Sequence, residues 1–324
     1  MSRCLVKASR PVLLLALLLM RADWRTIAAN QAVTPQTERG QQDAAKNRSK
    51  LFKTHFANGN QAMQHAQAIR QQLQRSTDPQ NPTLLNLMKS DYQTAITEYQ
   101  QSLQDAEVRD ENALQVLGKI GVIRNGLVSQ EKAVQMLVQD KDLPVILSNL
   151  GLAYSGVGEY QHAIAVLQQA VILKPAVGTY SELGTDLAQV GSMPEAAAAC
   201  DKILAVDFTA SGMQASCYKN IAIVLTNHGK LADAIAPLQK ATQLAPQDAS
   251  AWKLLGDALS STVTSKSEGG KIVNVIPPGA IEAYQRYLQL DPTGPYAPQV
   301  QSALEGLAQL TKPASTPAQT KEKN

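Results

Sequence analysis

The chain has 324 residues, 44% of them hydrophobic and 18% charged, with 30 basic against 27 acidic side chains. That length suits one extended repeat domain or two ordinary domains. A formal charge of +3 argues against a nucleic-acid binder, which needs a dense basic stripe. Few aromatics (4%) beside abundant Ala, Leu and Gln favour helices packed through small and aliphatic side chains.

Arg3, Lys7 and Arg10 precede the apolar run VLLLALLLM at 12–20, and Ala28 and Ala29 follow it. This is the order of a secretory signal peptide. The run is shorter than the roughly 20 residues that a spanning helix needs. The sequence therefore predicts a signal peptide over 1–29 and a periplasmic or secreted mature chain. Arg21, Asp23 and Arg25 lie between the run and the small residues, where a cleavage site is usually uncharged, so an N-terminal membrane anchor is the alternative. Cys4 lies before the apolar run, which argues against a lipoprotein. Cleavage near Ala29 removes more basic than acidic residues and leaves the mature chain near neutral.

Residues 30–110 form an N-terminal helical region. The polar stretch 30–50, with Pro35 and Gly40, reads as a mobile leader. From Asp43 to Gln74 apolar residues recur at helical spacing, and Asn58-Gly59-Asn60 marks a turn, which predicts two helices. Asp78-Pro79 and Asn81-Pro82 mark a break. Residues 83–108 read as a further helix or helix pair.

Residues 111–292 are self-similar. Leu147, Leu150, Gly151, Tyr154, Gly158, Ala163, Leu167, Ala170 and Pro175 resemble the tetratricopeptide pattern of large residue, Leu-Gly, aromatic, Ala, bulky residue, Ala and Pro over about 34 residues. Small residues at 151 and 163 let two antiparallel helices approach, Leu147, Tyr154 and Leu167 fill the surrounding space, and Pro175 ends the second helix. The frame recurs at Tyr180, Leu183, Gly184, Leu187, Gly191 and Ala196, with Phe208 in place of Pro. It recurs again at Tyr218, Ile221, Ala222, Leu225, Gly229, Ala234, Leu238, Ala241 and Pro246. A fourth copy opens with Trp252, Leu255, Gly256 and Leu259 and closes with Ala280, Tyr284 and Pro292. Leu117, Ile120, Gly121, Ala133 and Leu137 make a degenerate copy, and Ala95 and Tyr99 fit the second helix of another.

The resemblance implies an all-α solenoid of antiparallel helix pairs. Residues 293–310, with Val300, Leu304 and Leu307 at helical spacing, read as the cap helix that terminal repeats need. The tail 311–324 reads as disordered. The fourth copy carries roughly a dozen residues more than the period allows. Its extra segment, within 260–279, has Val263, Ile272, Val273, Val275 and Ile276 around Gly269-Gly270, which reads as a β-hairpin or long loop.

No phosphate-cradling loop, zinc-protease motif or serine nucleophile elbow is present. His55, His65, His162 and His228 are scattered without metal spacing, and Glu195, Asp233 and Glu282 read as solvated faces. Neither a catalytic residue nor a cofactor, metal or small-molecule site is predicted. Once the signal peptide is removed, Cys200 and Cys217 remain, on neighbouring helices of successive repeats. They form a disulfide if the compartment is oxidising, or else two small buried thiols.

The family binds partners along the groove of its first helices. The resemblance places Ser148, Ser181, Lys219 and Lys253 there, with Leu152, Asn220, Ile223 and Asp257 beside them. Leu152 and Ile223 stand where the chaperone-binding subset has a clamp asparagine, so that mode is not expected. The implied function is an exported adaptor, not an enzyme, holding a protein or peptide in the groove. Two aligned lysines favour an acidic partner segment. The alternative is a structural component of a cell-envelope assembly, acting through the convex face or self-association. The sequence sets neither the partner nor the oligomeric state.

Overall fold

The computed structural model describes residues 35–109, 142–268 and 271–310. The expected signal peptide, the degenerate copy between Leu117 and Leu137, the Gly269-Gly270 turn and the tail 311–324 lie outside the described residues. Two compact units divide the chain, Met1–Asn47 and Arg48–Asn324. Of the first, the described part is the opening stretch of a helix.

That helix, α1 (Pro35–Arg75), corrects two expectations. It begins within the stretch read as a mobile leader, and it runs unbroken through Asn58-Gly59-Asn60. The leader is rich in Gln, Glu, Ala and Lys, which lose little on entering a helix. Pro35 occupies its first position, where a missing N–H costs nothing. The Asn-Gly-Asn triplet is a packing site rather than a turn. A Cβ on Gly59 would lie 2.7 Å from the Tyr99 ring, and the Tyr99 hydroxyl donates to Asn60 Oδ1 at 2.8 Å.

Tyr99 belongs to α2 (Pro82–Arg109), one continuous helix. It opens at Asn81, whose Oδ1 accepts from the Leu84 N–H at 3.1 Å, as an N-cap side chain does. α1 and α2 run antiparallel. His55 Nδ1 lies 2.7 Å from Glu98, and His65 Nδ1 lies 2.7 Å from Asp91. Phe52, Tyr92 and Tyr99 are buried between these helices and join the core that reaches Ile146 and Leu150.

Four helix pairs follow. α3 (Leu143–Val157) pairs with α4 (Tyr160–Leu173), and α5 (Val177–Gln189) with α6 (Met193–Asp201) and the short α7 (Ile203–Val206). α8 (Ser211–Asn227) pairs with a 3-10 turn (Ala232–Ala234) leading into α9 (Ile235–Leu244). α10 (Ala249–Ser260) pairs with α11 (Ala280–Leu290), and α12 (Ala297–Leu310) closes the row.

The first three pairs share one turn. Gly158, Gly191 and Gly229 have φ of 85°, 82° and 73°, the left-handed conformation that ends a helix and that glycine adopts without a Cβ penalty. The next N–H bonds back to the carbonyl five residues earlier each time: Glu159 to Tyr154 (2.9 Å), Ser192 to Leu187 (2.8 Å) and Lys230 to Leu225 (2.8 Å).

Each pair crosses at a small residue on its first helix. A Cβ on Gly151 would meet Leu167, and one on Gly256 would meet Tyr284. At the corresponding places in the third pair, Ala222 and Leu238 are buried. Gly59 and Tyr99 repeat this crossing in the α1–α2 pair, with longer helices on both sides of it. Trp252 fixes the entry to α10, donating through Nε1 to the Pro246 carbonyl at 3.0 Å.

The second pair has Cys200 at its crossing, a side chain smaller than Leu or Tyr. Cys200 is bonded to Cys217 of α8, with Cα atoms 5.7 Å apart. Both are fully buried. A Cβ on Gly184 would lie 2.9 Å from the Cys217 sulfur and 3.1 Å from that of Cys200. The bridge thus occupies the space that a large side chain fills elsewhere, and it ties the second pair to the third.

The insertion in the fourth pair is a hairpin. β1 (Thr264–Glu268) and β2 (Lys271–Val275) are antiparallel, with Thr264 opposite Val275 and Lys266 opposite Val273. Asn274 accepts from Ser265 at 2.7 Å and donates to the Leu310 carbonyl at the end of α12 (3.3 Å). Ile272 is 73% exposed.

Gly59→Val should lower stability by about 1–3 kcal/mol, the usual cost of overpacking a filled crossing. A urea titration checks this, and an unmoved midpoint would place Gly59 away from the contact. The disulfide closes a loop worth about 3 kcal/mol. The intact mass of the native protein should therefore be two hydrogens below that of the reduced protein, and reduction should lower its melting temperature. Two freely alkylated thiols in native, air-exposed protein would refute the bond.

Candidate protein-interaction face

The first helices α3, α5, α8 and α10 carry Ser148, Ser181, Lys219 and Lys253 at matching places, one residue after the large Leu147, Tyr180, Tyr218 and Trp252. Because the pairs repeat in register, these four side chains follow one another from helix to helix. The structure gives each a definite local partner or setting.

Ser148 is half-buried and shares a 3.0 Å hydrogen bond with Thr179 of α5. Ser181 is half-buried, and its carbonyl accepts from Thr185 Oγ1 at 3.0 Å. Leu152 packs against the N-terminal core of Phe52, Tyr92 and Tyr99. It is partly buried there, so only part of its apolar surface faces the core. Asn220 is half-buried, whereas Ile223 is 38% exposed, a large apolar side chain open on α8.

The two lysines are already paired. Lys219 Nζ lies 2.6 Å from Asp248 Oδ2 and 2.9 Å from Ser250 Oγ. Lys253 Nζ lies 2.7 Å from Asp257, one turn further along α10, and 4.9 Å from the centre of the Tyr296 ring. Such pairs neutralise the charge that an acidic partner would seek.

Asp248 also caps α10, accepting from the Ala251 N–H at 3.2 Å and from Ser250 at 2.7 Å. Partial burial pushes its carboxyl up, but the hydrogen bonds from Lys219 and Ser250 and the Lys219 charge outweigh this and hold it below the ordinary value. Asp257 accepts from the Tyr284 hydroxyl at 2.9 Å. Burial pushes that phenol up to about 12, and the Asp257 charge adds to the rise.

The largest electrostatic feature is one that motif reading passed over. Asp186 on α5 is 1% exposed, at the place where the other copies have buried Ala153, Val224 and Ala258. It accepts from Ser155 of α3 at 2.5 Å. Burial pushes its carboxyl up to about 7; the Ser155 bond opposes the rise and the charge of Glu182, one turn earlier, adds to it. The Glu182 carboxyl is also raised by burial, partly offset by Arg70 of α1. Arg70 itself stacks over Tyr92 of α2, 5.3 Å from the ring centre. Aligning the repeat copies would have exposed Asp186 as the one carboxylate among Ala and Val.

Among the described residues, no group of three His, Cys, Asp or Glu side chains is placed to hold a metal ion. No described helix is long and apolar enough to cross a membrane.

Two tetratricopeptide-repeat family models match the chain, one over residues 145–174 and one over 220–261. The chain carries tetratricopeptide repeats. The matched stretches cover α3 and α4, and then most of α8 through α10, and the same crossing geometry carries the tetratricopeptide pattern through the pairs between and beside them. No curated protein matches the chain. Similar solved structures include a crystal structure of MamA, 18% identical, covering 63% of this chain and 91% of that one with a TM-score of 0.39. Another is YrrB, titled a TPR protein with an unusual peptide-binding site, 14% identical, covering 68% of this chain and 89% of that one with a TM-score of 0.36. A MamA fragment from Desulfovibrio magneticus RS-1 is 19% identical and covers 57% of this chain and 98% of that one, with a TM-score of 0.34. The superpositions are loose, and the family assignment rests on the two sequence matches.

Proposed function

We propose that this tetratricopeptide-repeat chain is a non-enzymatic scaffold that holds a protein or peptide partner along its first helices. The observation that carries the reading is the repeat of the same pattern on α3, α5, α8 and α10, with Ile223 exposed on α8 and both lysines paired. A surface of this kind offers many shallow contacts that add along an extended segment. With Lys219 and Lys253 already paired, affinity comes from apolar and hydrogen-bonding contacts at Ile223, Asn220 and Ser181. Burying a side chain such as Ile contributes about 1.5–3 kcal/mol, whereas exposed ion pairs contribute at most about 1 kcal/mol.

A second reading is a structural role through other faces. It is favoured by Phe208, 86% exposed where the other copies have Pro, and by Ile272 on the hairpin. We further propose that the chain works after export, on the strength of the charged start, the short apolar run and the paired Cys200 and Cys217.

The partner test uses the full mature chain as bait in parallel with Ile223→Asp. Proteins retained by the first and lost by the second, at unchanged helical circular dichroism, support the first-helix face. Equal retention moves the site to Phe208 or the hairpin, where Phe208→Asp and Ile272→Asp take over as the informative variants. Export is checked by N-terminal sequencing, with the mature chain expected to begin near residue 30. Intact Met1 in a soluble cytosolic fraction would overturn it.

A further inference from the structure

A carboxylic acid at a core position needs either a cation or a proton, because burial without compensation penalises the charged form. Among the described residues, no cation is paired with Asp186. Its nearest polar contact is the neutral Ser155 hydroxyl at 2.5 Å, and the closest charge acting on it is another carboxylate, Glu182. The positive charge of this region, Arg70, acts on Glu182 and is drawn over the Tyr92 ring.

The Ser155 hydroxyl also lies 3.0 Å from the Gly151 carbonyl, and other described polar groups on the helices around α5 have partners of their own. Tyr154 of α3 accepts from Gln100 at 2.7 Å, and His162 of α4 lies 3.0 Å from Glu159. Tyr218 of α8 donates to Asp201 of α6 at 2.7 Å, and Lys219 bonds Asp248. The Ser155–Asp186 bond joins α3 to α5, the first helices of two successive repeats, through a group that no cation among the described residues neutralises.

We propose that Asp186 is a protonation lock between these two successive repeats, closed while its buried carboxyl holds a proton and loosened when that proton leaves. With the lock closed, the junction is neutral and packs as Ala153 or Ala258 packs in the other copies. Loss of the proton places a charge in the junction, one turn from Glu182 and without a cation. The charge draws in water and loosens the packing of α5 on α3. Ser148 and Ser181 ride on these two helices, so the spacing of the interaction face changes with the lock.

The sign follows from linkage. The folded chain binds this proton more tightly than the unfolded chain does, the value rising from the ordinary 3.8 to about 7. The stabilisation is thus complete in acid. It is lost as the pH rises through the window between those two values, and stability levels off above it.

The experiment follows thermal unfolding of the full chain between pH 5 and pH 8, beside Asp186→Asn and Glu182→Gln. The wild type should lose about 3 °C per pH unit below neutrality, and Asp186→Asn should abolish that contribution. Glu182→Gln should remove that residue's own raised-carboxyl contribution and keep the Asp186 contribution, ending it at lower pH because a like charge is gone. Equal slopes in the wild type and Asp186→Asn would overturn the proposal. Should Asp186→Asn fail to fold, carbon-13 titration of aspartate carboxyls in the wild type decides. One carboxyl titrating near neutrality is expected, and an aspartate set that all titrates in the ordinary acidic range would overturn it.

Discussion

Everything in the repeat region depends on one close approach, that of a small residue on a first helix to a side chain on the second. Gly151 against Leu167, Gly256 against Tyr284 and Gly59 against Tyr99 are the same contact. Two helix axes can come this near only where one side carries no Cβ or a methyl group, and the gap left behind must then be filled. The contact fixes where the helices meet and says nothing of how far each runs beyond it. This is why the fourth pair accepts a hairpin between its helices, and why α1 and α2 extend past their crossing at both ends without losing it.

The disulfide is a local variation on that constraint. The second pair has lost the large filler, since Cys200 stands where Leu167, Leu238 and Tyr284 stand elsewhere. A lone thiol there would leave part of the space empty, at a cost that grows with the cavity. Bonding to Cys217 restores volume from the neighbouring helix. The bond supplies packing and a cross-link in the same place, and the crossing of one repeat becomes covalently dependent on the next.

Charge follows a different logic along the same helices. Toward α10 the cations and carboxylates are matched, Lys219 with Asp248 and Lys253 with Asp257. Toward α3 and α5 they are not, and burial has moved Asp186 and Glu182 away from ordinary carboxylate behaviour. One end of the face has its charges matched and the other does not. A partner lying across both would meet a stable set of contacts and a variable one.

The sequence by itself determined the helical pairs from Leu143 onward, their turns at Gly158, Gly191 and Gly229, and the placement of the hairpin, because those features are local. A left-handed turn needs glycine, a crossing needs a small residue, and strand-forming residues around an interruption stand out against a repeat. Tertiary structure alone decided the meaning of Asn58-Gly59-Asn60, which by local rules is a turn and in the fold is the seat of the Tyr99 ring. It also decided that Leu152 packs against the N-terminal core, that Lys219 meets Asp248, and that Asp186 is buried with no counter-charge among the described residues. Each of these depends on a residue distant in sequence arriving at a given distance, and composition and periodicity do not encode such meetings. A turn or a crossing repeats and can be read from its period, but the partner of a single charged side chain is set once, by the packing of the helices around it.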